Sequence, residues 1–136
     1  MKAWAASVAV LLAPGAAQAA TPLVTNRLAA IDNAYDRCVT AAKTNTDFGL
    51  CGGHRLKADD DMLNEVWKRV HGASRGSAKA AVLAEQRLWI AYKDKSCSWW
   101  LYGQGREGQV LHYPMCRATI IEDRVRLLDS LGSDTP

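Results

Sequence analysis

Cysteine and histidine are the residues here whose spacing could do chemistry. Cys51-Gly-Gly-His54 and His112-x-x-x-Cys116 carry the spacings with which tetrahedral metal sites are built. The same four cysteines, Cys38, Cys51, Cys97 and Cys116, can instead close two disulfides in three possible pairings. The run Asp59-Asp60-Asp61 lacks the ligand spacing of a calcium loop and reads as a solvated helix face. No Ser-His-Asp order, phosphate-cradling glycine motif or dinucleotide fingerprint occurs. No catalytic residue, metal or cofactor is therefore assigned.

The compartment decides between thiolates and disulfides, and the N-terminus indicates it. Lys2 is followed by the apolar run Ala3–Leu12 and by the small-x-small triplet Ala17-Gln18-Ala19. That is the pattern of a secretory signal peptide, with cleavage expected after Ala19 or one residue later. The apolar run is well short of the ~20 residues a membrane span needs. Residues 20–136 are thus expected as one soluble periplasmic or secreted domain. An oxidising compartment favours disulfides over a metal site.

Composition excludes other classes. The chain has 136 residues, 49% of them hydrophobic and 23% charged, which is neither disordered nor fibrous. Its formal charge of +3 falls by the single charge of Lys2 to about +2 after processing. A surplus that small gives no basic footprint for nucleic acid.

The elements that must position the cysteines read as four helices, and the class is all-α. Leu28, Ile31, Tyr35, Cys38 and Ala42 recur at helical steps, with Thr25 or Asn26 as N-cap and a polar turn at Lys43–Asp47. A second helix over about 48–70 shows Leu56, Leu63, Trp67 and Val70 on one side, weakened near its start by Gly52-Gly53. Glu65 is placed to pair with Lys68 or Arg69, and His71 to help cap the end before Gly72. Ser77 opens a third helix that runs through 79–102 with Leu83, Ile90, Cys97 and Leu101 on one face. The glycine-rich 103–108 reads as a flexible loop. A fourth helix starts at Pro114 or Cys116 and carries Ile120, Ile121, Leu127, Leu128 and Leu131. Each cysteine pair then flanks the connection of a helical hairpin, which favours Cys38–Cys51 and Cys97–Cys116. The expected fold is a small antiparallel four-helix bundle built from two stapled hairpins.

The third helix carries a resemblance. Gln86-Arg87-x-Trp89-x-x-Tyr92-Lys93-Asp94-x-x-Cys97 is similar to the Q-R-x-W-x-x-[FY]-[RK]-D-x-x-C core of the lysozyme inhibitor LprI-like N-terminal domain family. Asp60-x-x-Leu63-Asn64-x-x-Trp67-x-x-Val70 resembles the family's D-x-x-L-N-x-x-Y-x-x-L helix, with Trp in place of Tyr. Cys38 and Cys51 match its first cysteine pair, and Cys116, Arg124 and Leu128 its last helix. The resemblance spans about residues 34–131. It departs at Ile121, where the family has Thr, at Gly52-Gly53, and in lacking the lipidation cysteine of some relatives. It implies an inhibitor that acts by binding a lysozyme, with another cell-envelope protein as the alternative partner.

The motif residues Asn64, Trp67, Gln86, Arg87, Trp89, Asp94 and Arg124 read as architecture. Asp94 is expected to pair with Arg124 across the last two helices, with Gln86 bonding backbone or Asn64. Trp67 and Trp89 are expected to fill the core. Trp99, Trp100, Tyr102, Arg106, His112 and Tyr113 gather around the glycine-rich segment. Two consecutive tryptophans cannot both face inward on one helix, so this end is the candidate partner surface. A lysozyme is often basic, and an inhibitor would gain from an acidic face; only Asp59–Asp61 offers one in the sequence.

Overall fold

A computed structural model describes residues 20–133. The signal peptide read at residues 1–19 lies outside them. The helices are α1 (Pro22–Ala41), α2 (Asn45–Ala73), α3 (Gly76–Lys95) and α4 (Tyr113–Ser133). A 3₁₀ turn (Ser98–Leu101), one α-turn (Gly105–Glu107) and a π-helical turn (Gly108–His112) join α3 to α4. The described residues contain no strand, and none of their helices is long and apolar enough to cross a membrane.

Local chemistry moves several helix ends from where the periodicity puts them. Thr21, rather than Thr25 or Asn26, caps α1, its hydroxyl accepting from the Val24 amide, and Pro22 follows at a position where its missing N–H costs nothing. Thr44 and Asp47 form a reciprocal capping box at the start of α2, so the expected turn shortens to residues 42–44. Arg75 occupies the N-cap position of α3 without a side-chain cap, and Ser77 lies inside the helix. The largest correction is at the other end of α3. The helix stops at Lys95, because Cys97 takes a left-handed conformation with φ 68°. The glycine-rich 103–108 is largely helical rather than an open loop. Pro114 lacks an amide proton, and its ring would strike the carbonyl four residues back in a regular α-helix. The turn before it widens to π instead.

Cross-helix pairings give the topology. Cys38 with Cys51 and Arg27 with Glu65 run in opposite senses, so α1 and α2 are antiparallel. Arg124 with Glu85 and Arg117 with Lys93 make α3 and α4 antiparallel. Arg55 with Glu122 and Arg69 with Asp129 ascend together, so α2 and α4 run parallel. That parallel pair forms the largest helix–helix contact, flanked by α1 and α3. The core consists of Val24 and Leu28 from α1, Met62, Leu63, Val66 and Val70 from α2, Val82 from α3, and Ile121, Val125 and Leu128 from α4.

Gly52 lets the central pair close. A Cβ there would sit 2.6 Å from Pro114 Cγ and 2.8 Å from its Cβ. At Gly53, the next residue, nothing lies within 4 Å. The glycine pair is therefore mid-helix, and its two members do different things.

The disulfides are Cys38–Cys51 and Cys97–Cys116, with Cα–Cα distances of 5.7 and 5.9 Å. They close loops that in the chain-entropy model stabilise by ~3 kcal/mol each. Their sulfurs are consumed, which removes both Cys/His metal readings.

The phase of α3 differs by one residue from the expected face. Val82 and Gln86 are buried and Trp89 and Lys93 half-buried, whereas Leu88 and Ile90 are exposed. On α4, Ala118, Ile121, Val125 and Leu128 face the core, and Leu127 and Leu131 are exposed.

Candidate functional site

The connection between α3 and α4 builds one end of the bundle. The left-handed turn at Cys97 separates the two tryptophans. Trp99 is 67% exposed, while Trp100 is half-buried and stacks on His112 with ring centroids 4.6 Å apart. Tyr102 is 73% exposed. Gly103 and Gly105 both take positive φ, of 79° and 67°, which the sharp reversal after Tyr102 requires. Gly108 is buried where a Cβ would lie 2.8 Å from the Trp100 carbonyl oxygen and 2.6 Å from Gln104 Cβ. The segment folds tightly on itself and is tied by Cys116 to α4.

Arg106 projects from this end. Its Nη1 donates to Gln109 Oε1 at 3.1 Å, and Gln109 Nε2 donates to the Leu101 carbonyl at 3.3 Å. The guanidinium is thus oriented by a neutral side chain, and no carboxylate pairs with it among the described residues. Glu107 Oε1 lies 3.7 Å from His112 Nε2. Tyr113 is half-buried beneath the Arg117 guanidinium. The six aromatic and basic residues singled out in the sequence therefore share one end of the molecule. Exposed aromatics beside an uncompensated Arg make up the composition of an interaction hot spot.

The motif residues divide into two groups. Gln86, 6% exposed, accepts from Arg124 Nε at 2.9 Å, and Arg124 Nη1 donates to Glu85 at 2.7 Å. The Arg124 guanidinium also lies against the Trp89 ring, and Trp67 packs half-buried on the core with His71 stacked on it at 4.8 Å. Asp94 does not pair with Arg124. Its carboxylate is 61% exposed and lies 3.5 Å from Lys93 Nζ and 3.7 Å from Arg117 Nη2. About two and a half turns of α3 separate it from Glu85, the acid that Arg124 does reach. Asn64 and Arg87 are exposed and make no hydrogen bond among the described residues.

Two charged clusters escape the sequence reading. Arg55 is buried between α1, α2 and α4. Its Nε donates to Asp59 at 2.9 Å, and its Nη2 reaches both Asp32 at 2.5 Å and Glu122. Asp59 is completely buried, so Asp59–Asp61 is not a continuous solvated face. Burial pushes the Asp59 carboxyl up from the ordinary 3.8 to about 6, against the opposing pull of Arg55. The Arg55/Asp59 spacing of four is the one signal that could have revealed the pair. Asp129 is also completely buried. It accepts from the Thr21 amide at 2.6 Å and from Arg69 Nη2. Burial alone would raise its pKa, but the hydrogen bonds from Thr21 and Arg69 outweigh it and hold the carboxyl below its usual value. Glu65 turns away from Lys68 and Arg69 to make a two-pronged contact with Arg27 at 2.6 and 2.8 Å.

No group of three or more potential metal ligands occurs among the described residues. Compared with known families, residues 37–128 match the family model described as Lysozyme inhibitor LprI. No curated protein and no solved structure matches the chain.

Proposed function

The chain belongs to the lysozyme inhibitor LprI family, and on that premise we propose that it is exported and inhibits a lysozyme by binding it. Export follows from the signal-peptide pattern of residues 1–19 and from two disulfides, which persist in oxidising compartments. The contact surface is the end carrying Trp99, Trp100, Tyr102, Arg106, His112 and Tyr113. The observation that carries this choice is the exposure of Trp99 and Tyr102 beside an Arg106 without a carboxylate partner. Glycosidases hold two carboxyl groups at the scissile bond, so an aromatic end that carries a cation without a carboxylate partner complements such a cleft in charge. Binding is sufficient for this role, and no catalytic residue is required.

Titration of oxidised residues 20–136 into chicken-type and bacterial-type lysozymes in a cell-wall clearing assay tests the reading. A stoichiometric endpoint is expected, with Trp99→Ala and Arg106→Gln each weakening inhibition at least about tenfold, as hot-spot truncations do. Absence of inhibition by the folded, disulfide-bonded protein would overturn it and leave another envelope protein as the partner.

A further inference from the structure

The outer side of α3 is built like an inner one. Ala81, Ala84, Leu88 and Ala91 recur at steps of three and four, the spacing of a helix–helix seam, and Tyr92 adjoins them. All five are exposed, Leu88 by 74% and Tyr92 by 60%. A different stripe, Val82, Gln86, Trp89 and Lys93, faces the bundle. The outer side of a helix ordinarily carries charge, yet here Glu85 and Arg87 stand only at the two edges of the stripe. Tyr92 and the exposed Leu127 share a shallow hollow with Trp89 and Ile120, so the apolar surface continues onto α4.

Both the size and the layout of this face fit a second copy of itself. The exposures amount to roughly 500 Å² of apolar surface per molecule, a patch large enough to be functional on a monomer. Two such faces brought together cover about 1,000 Å², the size at which a specific interface begins. The face is lopsided in two respects. Its bulky members, Tyr92 and Leu127, lie on the α4 side, and the small Ala84 and Ala91 on the far side. Acidic residues border the α4 side, namely Glu85 and the exposed Asp123. Arg124, next to Asp123, reaches Gln86 and Glu85, so Asp123 stands level with Arg87. Arg87 borders the far side and makes no hydrogen bond or ion pair among the described residues.

One symmetry operation matches both asymmetries. A two-fold axis parallel to α3 sets the bulky side of each copy over the alanines of the other. The same rotation brings Arg87 of each copy opposite the second copy's Glu85 and Asp123. An antiparallel pairing would set bulk against bulk and acid against acid. Self-complementarity of this kind is what a two-fold interface requires. We propose that α3 docks in parallel against α3 of a second copy of this chain, giving a homodimer with Leu88 at its centre and Arg87 paired across it. The contact is separate from the aromatic end and does not rest on lysozyme inhibition.

Sedimentation equilibrium of the oxidised protein, residues 20–136, tests the proposal. A reversible monomer–dimer equilibrium is expected, with a Kd of about 1–100 μM for an interface of this size. Leu88→Glu should raise that Kd at least about tenfold, as loss of a central contact does. Its thermal midpoint, measured where the parent is monomeric, should match the parent's, because Leu88 is exposed. Arg87→Glu should weaken the dimer at least about fivefold, and the double variant Arg87→Glu with Asp123→Arg should recover most of that loss. A protein that stays monomeric up to about 300 μM, well above that Kd, overturns the proposal. So does a dimer that Leu88→Glu leaves intact, and a double variant without recovery overturns the parallel arrangement. If the protein is monomeric and Leu88→Glu instead weakens lysozyme inhibition, the face is a partner contact and the second copy is excluded.

Discussion

Adjacent glycines in α2 should respond to the same substitution with opposite signs. Alanine at either position gains about 1 kcal/mol of helix propensity over glycine. At Gly53 nothing opposes that gain, because a Cβ meets open space, and Gly53→Ala should stabilise by about 0.5–1 kcal/mol. At Gly52 the added methyl falls 2.6 Å from Pro114 Cγ. The proline ring cannot rotate away, and Pro114 lies two residues from the Cys97–Cys116 bridge. Either α2 and α4 separate or the proline turn shifts, and overpacking of this kind costs about 1–3 kcal/mol. A contact this short belongs in the upper part of that range, so Gly52→Ala should be net destabilising by about 1–2 kcal/mol. The two variants should then differ by about 1.5–3 kcal/mol. For a domain of this size that is roughly 6–12 °C in Tm. Far-UV circular dichroism of the oxidised proteins, followed against heat and urea, measures it. Gly52→Ala at or above the parent's stability would refute the close approach of the parallel helices.

Acid–base behaviour offers a second check. Asp59 has a folded pKa of about 6 against an ordinary 3.8, so the folded state holds its proton more tightly than the unfolded one. Its contribution to stability is greatest below about pH 4 and declines as pH rises to about 6. Asp59→Asn should flatten that decline in the urea midpoint, and an unchanged pH profile would count against a desolvated Asp59. In the core of the motif, Gln86→Ala should destabilise by about 1–3 kcal/mol, since it strands a buried guanidinium N–H of Arg124. Asp94→Asn, on an exposed carboxylate, should stay within about 0.5 kcal/mol. The reverse order in thermal melts would restore the Asp94–Arg124 pairing.

Much of this architecture is local and therefore legible in one dimension. Helical periodicity and turn residues locate four helices, and cysteines flanking each hairpin favour the pairing Cys38–Cys51 and Cys97–Cys116 that the structure has. The Q-R-x-W-x-x-Y-K-D-x-x-C run carries the family resemblance before any contact is known. The phase of α3 is a different matter. Leu83, Leu88, Ile90 and Tyr92 spread apolar surface around that helix, so its own pattern selects no single inward face. The face is chosen by Arg124, which seats Gln86 and Glu85, and by Arg117, which reaches the Lys93 carbonyl. The same rotation turns Asp94 outward.

The parts hidden from the sequence are those where a charge or a backbone reversal depends on a distant neighbour. Asp59 looks like a third of a solvated acidic run until Arg55 and the facing α4 bury it. Asp129 looks like a surface residue near the chain end until Thr21 and Arg69 converge on it from α1 and α2. The left-handed turn at Cys97 ends α3 early and sends Trp99 and Trp100 to opposite environments, although helical spacing alone runs straight through both. Sequence by itself determines where the four long helices lie, because that depends on neighbours within a turn. Tertiary structure decides which side of each helix is buried and which polar groups meet, because desolvation and pairing energies are set by partners many residues away.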